Sequence, residues 1–291
     1  RPRAIDRGDD QPHPATDDHA SRRARHMTYC LAINVAEGLV FCSDSRTNAG
    51  VDNVSVYSKM RTFCWPGDRF FALLSAGNLA TTQAVVKKLT GDIPNGLVPN
   101  LLSVRTIEEA ADYVGIVSTQ VQRTHANRDT ATTNFEATFV FGGQIGDQPP
   151  EIFMVYPQGN YIHESADHPF LQIGEIKYGK PILDRVIKRD TDLNRAARCA
   201  LVSMNSTIRS NVTVGPPTEL LIYRRNSLSE GRRCQYAEDH PFAREISEKW
   251  NAGLMLALEN LPLFPWEQPG GNAGSDGCVM APPHPPGAVA S

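Results

Sequence analysis

Two short apolar runs, residues 28–35 and 38–43, constrain this chain more than any other feature. The first reads Thr28-Tyr29-Cys30-Leu31-Ala32-Ile33 and onward to Val35. The second reads Gly38-Leu39-Val40-Phe41-Cys42-Ser43. Neither alternates apolar with polar residues, so both read as strands covered on both faces. A tight turn around Glu37-Gly38 joins them. Asp44 stands at the end of the second run, and Lys59 at the end of a third segment.

Met27, an initiator-type residue, stands directly before Thr28. A threonine hydroxyl is a poor nucleophile until a base takes its proton. If Thr28 is the first residue of the mature chain, its own α-amine is that base. Such an amine titrates near pH 8 and is partly neutral at cellular pH. A neighbouring Lys59 lowers it further, because two ammonium groups repel at close range. Asp44 would hold Lys59 charged and aim it at the hydroxyl. Singly, an Asp at a strand end and a solvated Lys are ordinary features. Thr28, Asp44 and Lys59 in one register are not.

Residues 1–27 hold six Arg, five Asp and three His but no aromatic residue, too little apolar surface to offset the entropy of ordering. They also lack the apolar stretch of a secretory signal. Three readings compete: an over-long gene model with the true start at Met27, a propeptide, or a disordered arm. The first is the expectation, since removal of Met before Thr is routine and leaves Thr28 amino-terminal. If the extension stays attached, the base becomes an amide and the mechanism fails. Residues 267–291 are rich in Gly and Pro and read as a disordered tail. Residues 28–266 form the expected domain.

Within it, residues 47–53 read as a polar loop, 54–63 and 70–75 as strands, and a helix follows to about Leu89. Gly77 sits between strand end and helix start, where a backbone can approach a ligand and the helix N-terminus favours negative charge. Its plainer reading is a turn glycine. Thr106-x-x-Glu109 is a capping box opening a helix to about Ala126, with Ile107, Ala110, Ala111, Val114, Val117 and Val121 on one face. Strands are expected at 135–144, 151–156, 161–164 and 219–225, and helices at 181–188, 193–208 and 242–261.

The run Thr28 to Met60, with Ser43-Asp44-Ser45-Arg46-Thr47-Asn48-Ala49-Gly50 and Lys59-Met60 in register, resembles the proteasome-type N-terminal nucleophile hydrolases. The closest likeness is to the bacterial ancestral β-subunit family, Anbu, and it extends weakly to about Trp266. The resemblance implies a four-layer α-β-β-α sandwich of the α+β class, and the order of expected elements fits it. It implies that Thr28 attacks a peptide carbonyl, that Lys59 and Asp44 assist, and that the Gly77 N–H receives the oxyanion. The family's Gly-Ser corner corresponds to Gly174-Glu175 here, so the serine is not carried over. Proteasome subunits place an Asp and a Ser after the later helix; Ser210 or Asn211 matches the Asp, and Thr213 the Ser. The Asp-to-Lys spacing is one residue shorter than in proteasome β-subunits but fits Anbu-like sequences. On a strand such a shift reverses the side chain's face.

The activity this implies is a threonine endopeptidase acting on peptides or unfolded protein, in a homo-oligomeric ring or open helical ring in the cytoplasm. An ATP-dependent unfoldase as partner is left open. Two alternatives stand beside it: an amidase acting on small amides through the same centre, and a weakly catalytic scaffold or binding subunit of the same fold. No metal or organic cofactor is implied.

Composition narrows the classes further. A net charge of −3 gives no basic excess for nucleic acid or an anionic membrane surface. No apolar run approaches the roughly 20 residues needed to span a bilayer. Six cysteines without a C-x-x-C pair, several inside apolar runs, fit reduced thiols rather than a disulfide framework. The repeated Asp-His-Pro-Phe at 167–170 and 239–242 reads as two turns in which Pro starts an element, not as metal sites.

Overall fold

The computed structural model describes residues 28–48, 54–128, 133–264 and 267–268. The extension expected at 1–27 and nearly all of the tail expected at 267–291 lie outside the described residues. The chain divides into two compact units, one reaching Ile246 and one beginning at Ser247.

Among the described residues the first unit contains two five-stranded sheets, a small ribbon and the helices α1 (Leu79–Asp92), α2 (Ile107–Ala126), α3 (Lys180–Val186) and α4 (Leu193–Ser210). One sheet has the order β10 (Phe170–Gly174), β1 (Tyr29–Val35), β2 (Gly38–Ser43), β11 (Thr218–Arg224), β12 (Arg232–Tyr236). The other runs in chain order: β5 (Met60–Trp65), β6 (Arg69–Gly77), β7 (Ala137–Ile145), β8 (Glu151–Val155), β9 (Tyr161–His163). The ribbon pairs β3 (Arg46–Asn48) with β4 (Val54–Val56). Every pairing among the described residues is antiparallel.

The continuous apolar character of β1 follows from what covers its two faces. Tyr29, Leu31 and Ile33 pack with Leu193, Ala196, Ala200 and Met204 of α4 (Leu193–Ser210). Cys30 and Ala32 point the other way and meet Phe70, Ala72 and Leu74 of β6. Alternation along the strand thus divides one apolar run between two layers of core. Phe70 and Tyr223 stack across the sheets with ring centroids 4.5 Å apart. On the far face of β6 and β7, Phe71, Leu73, Phe139 and Phe141 pack against α1 (Leu79–Asp92) and α2 (Ile107–Ala126). The six α2 residues expected on one face are all buried. Fully burying each such Leu, Val or Phe is worth about 1.5–3 kcal/mol.

Helix starts follow the local chemistry. Thr106 accepts a bond from the Glu109 N–H at 3.1 Å, Asn78 from Thr81 at 3.1 Å and Asp192 from Arg195 at 2.8 Å. The Glu109 carboxylate closes its half of the box on the Arg105 N–H, one residue before the cap. Pro169 precedes β10, and Pro241 opens α5 (Pro241–Glu259), as the turn reading of Asp-His-Pro-Phe expects. No residue of α5 is buried, and Leu254, Met255, Leu256 and Leu258 are exposed.

Three expectations need correction. The strand expected at 54–63 is two strands, because the chain leaves β3 and joins β6 at Tyr57-Ser58-Lys59. The loop expected at 47–53 begins in strand, since Thr47 and Asn48 pair with β4; residues 49–53 lie outside the described residues. No strand was expected at Phe170–Gly174 or Arg232–Tyr236. β12 is a polar edge strand: Arg232 and Gln235 are exposed, Arg233 reaches the Glu219 carboxylate, and Cys234 and Tyr236 pack inward.

Candidate active site

Asp44 lies just beyond β2, fully buried, and its carboxylate gathers four donors. Oδ1 accepts the Thr28 hydroxyl at 2.5 Å, the Lys59 Nζ at 2.6 Å and the Tyr29 N–H at 3.1 Å. Oδ2 accepts the Gly215 N–H at 3.3 Å. A buried carboxylate needs such pairing, because an isolated charge away from water is costly. Lys59 also donates to the Arg46 carbonyl at 2.7 Å. The hydroxyl of Thr28 and the ammonium of Lys59 therefore share one oxygen.

The change of partner between β4 and β5 explains how Lys59 reaches Asp44 despite the shortened spacing. Residues 57–59 belong to neither strand, so the two-residue alternation is interrupted before β5 begins at Met60. Ser75 N–H donates to the Lys59 carbonyl at 3.1 Å, tying this point to β6.

Gly77 closes β6 with φ +109°, and a Cβ there would lie 2.4 Å from the Glu136 carbonyl oxygen. Only glycine fits this backbone. Asn78 N–H donates to Glu136 on the β7 side. Donors alternate between edges along a strand, so the Gly77 N–H faces the same edge as that of Ser75, beside Lys59 and beyond the start of β5.

A second cluster adjoins Thr28. Glu175 N–H donates to the Thr28 carbonyl at 2.7 Å, continuing the β1–β10 ladder by one pair. The Glu175 side chain, in a residue 5% exposed, accepts from Asn211 Nδ2 at 3.2 Å. Asn211 Oδ1 in turn accepts the Thr213 hydroxyl at 2.6 Å and its N–H at 3.0 Å. Of the supporting residues expected near the end of α4, Asn211 and Thr213 stand together. Ser210 does not join them: it ends α4 with its side chain exposed, since the helix turns that face to solvent.

Sequence reasoning missed the Gly215 N–H and the Tyr29 N–H, and it named Glu175 only as the residue standing where the family has a serine. The Gly215-Pro216 step was a visible signal of a turn, but nothing local ties it to Asp44. The nearest thiol, Cys30, donates to the Ser75 carbonyl at 3.7 Å. Burial, with Asp44 adding to it, pushes the Cys30 thiol up, so it stays protonated and a poor nucleophile. Among the described residues no group of three or more His, Cys, Asp or Glu could hold a metal ion. No described helix is long and apolar enough to cross a membrane.

Two antiparallel sheets sharing a core, with a threonine, a lysine and a buried aspartate gathered at the start of β1, define a proteasome-like N-terminal nucleophile hydrolase fold. Solved structures of that kind match closely. Anbu from Yersinia bercovieri is 42% identical with a TM-score of 0.77, over 81% of this chain and 99% of that one. The helical assembly of the Anbu complex from Pseudomonas aeruginosa gives 45% identity and 0.78, over 82% and 98%. Anbu from Hyphomicrobium sp. strain MC1 gives 41% identity and 0.73, over 81% and 99%. The chain belongs to the Anbu family, the ancestral β-subunits. No protein-family model matches it, and no curated protein does.

Proposed function

We propose that this chain is a threonine peptidase with Thr28 as its amino-terminal nucleophile, working in a cytoplasmic homo-oligomer. The observation that carries the reading is the buried Asp44 carboxylate, bonded at once to the Thr28 hydroxyl and the Lys59 ammonium. The expected domain, 28–266, is read as a four-layer sandwich built in the unit that reaches Ile246. Three separate apolar cores, one between the sheets and one under each helical layer, support that layering. The helical assembly of the Pseudomonas aeruginosa relative supports self-association.

In this reading the Thr28 α-amine removes the hydroxyl proton as Oγ1 bonds to the peptide carbonyl carbon. Lys59, held by Asp44, stabilises the negative charge arising at Oγ1. The Gly77 N–H donates to the oxyanion, a contribution of about 3–4 kcal/mol for a well-aimed donor. The ammonium then returns the proton to the leaving amine, the C–N bond breaks, and water hydrolyses the ester in a second half-reaction. Asn211 and Thr213 order the wall beside the amine.

Intact mass and covalent labelling test the proposal together. The native protein is expected to begin at Thr28 and to gain one equivalent of a peptide epoxyketone, with no gain in Thr28→Ala. A chain that starts at Thr28, hydrolyses peptides and yet takes no label there would overturn it.

A further inference from the structure

We infer that Glu175 is a positioning residue for the Thr28 α-amine, its carboxylate being the counter-charge for the ammonium that the amine becomes during catalysis. The inference rests on the reading of Thr28 as an amino-terminal nucleophile and adds to it a residue the sequence motif does not contain.

The ladder supplies the geometry. Tyr29 pairs with Gly174 and Cys30 with Ile173, so Thr28 lies opposite Glu175. The Glu175 N–H donates to the Thr28 carbonyl, and in a closely spaced antiparallel pair the opposite nitrogen, here that of Thr28, faces the backbone carbonyl of the same residue, which sets that nitrogen beside residue 175. Directly opposed residues also project to the same side of the sheet. Approach is close because residue 174 is glycine: a Cβ there would sit 1.9 Å from the Thr28 carbonyl oxygen.

Charge balance supplies the reason. The charged groups around Thr28 are Asp44 after β2, Lys59 before β5 and Glu175 after β10. Asp44 and Lys59 form one pair. Arg46 directs its guanidinium to the Val212 carbonyl, and Glu219 pairs with Arg233. The loop after α4 offers only the neutral Asn211 and Thr213. Among the described residues no lysine, arginine or histidine pairs with Glu175, although the residue is nearly fully buried. A buried carboxylate is stable beside a cation, and the ammonium of Thr28 is a cation that no other unpaired acid among the described residues around it balances.

The test measures the α-amine itself. The rate of acetylation of the Thr28 amine by acetic anhydride, followed against pH by mass spectrometry of the amino-terminal peptide, gives its titration midpoint. Removing an opposed charge in Glu175→Gln is expected to lower that midpoint by about one pH unit, and Glu175→Asp to restore most of it. The acid limb of kcat/KM should move by the same amount, with KM little changed. An identical midpoint in wild type and Glu175→Gln overturns the inference, whatever the peptidase activity. A shifted midpoint without an epoxyketone adduct keeps it and sinks the peptidase reading. A mature chain with residues still attached ahead of Thr28 leaves no amine and overturns both.

Discussion

Lys59 meets Asp44 at 2.6 Å across the point where the chain leaves one strand partner for another. The aspartate is fully buried and the lysine side chain nearly so. Asp44→Asn keeps the shape and one acceptor oxygen but removes the charge, leaving the Lys59 ammonium without its counter-ion and an amide NH2 among groups that donate. Breaking a buried pair this way costs about 3–5 kcal/mol. Urea unfolding should show that loss, while Asp44→Asn with Lys59→Met should recover part of it.

Thr28 offers a cleaner separation of chemistry from folding. Thr28→Ser keeps a hydroxyl 2.5 Å from Asp44 in place and should retain measurable turnover. Thr28→Ala removes the proposed nucleophile and should abolish turnover and epoxyketone labelling. Thr28→Ser keeps the buried hydrogen bond to Asp44 and is expected to unfold within about 1 kcal/mol of wild type, whereas Thr28→Ala removes it at a cost of about 1.5–3 kcal/mol. Peptide hydrolysis and thermal unfolding on the same samples check this.

Gly77→Ala forces a Cβ against the Glu136 backbone at a φ that alanine avoids. The strand end must shift, at a cost of about 1–3 kcal/mol. Its N–H then leaves the edge beside Lys59. The expected result is a fall in kcat of about 100-fold or more with KM little changed. Steady-state kinetics together with unfolding would show whether loss of rate exceeds loss of fold.

The strongest sequence signals were those in which one local pattern has one physical cause. The apolar runs at 28–43 read as doubly covered strands because core lies on both sides of them. Thr106 read as a cap because its hydroxyl needs only residues three positions away. Tyr57–Lys59 could not be read, since a change of strand partner leaves no mark on composition. β12 was missed because an edge strand with two arginines lacks an apolar run. Glu175 was set aside as a departure from a motif. Its place opposite Thr28 comes from pairing across 147 positions of chain, which no window of sequence contains.

Alkali should weaken the fold in a defined direction. Burial raises the thiols of Cys30 and Cys42 above their ordinary value of 9.0. The folded state then holds protons that the unfolded chain releases. The associated stability is complete below about pH 9 and falls above it, by about 1.4 kcal/mol per pH unit for each thiol. Urea midpoints at pH 8 and pH 10 should show the decline, and Cys42→Ala should make it shallower.

β1 is an interior strand, bonded to β10 on one side and β2 on the other, with side chains locked into two cores. A residue at its start cannot be loosened without tearing the sheet. Local melting of β1 is therefore a costly way to switch the proposed site. Under the proposed function, control by what is admitted to Thr28, or by what is joined to its nitrogen, fits this arrangement better.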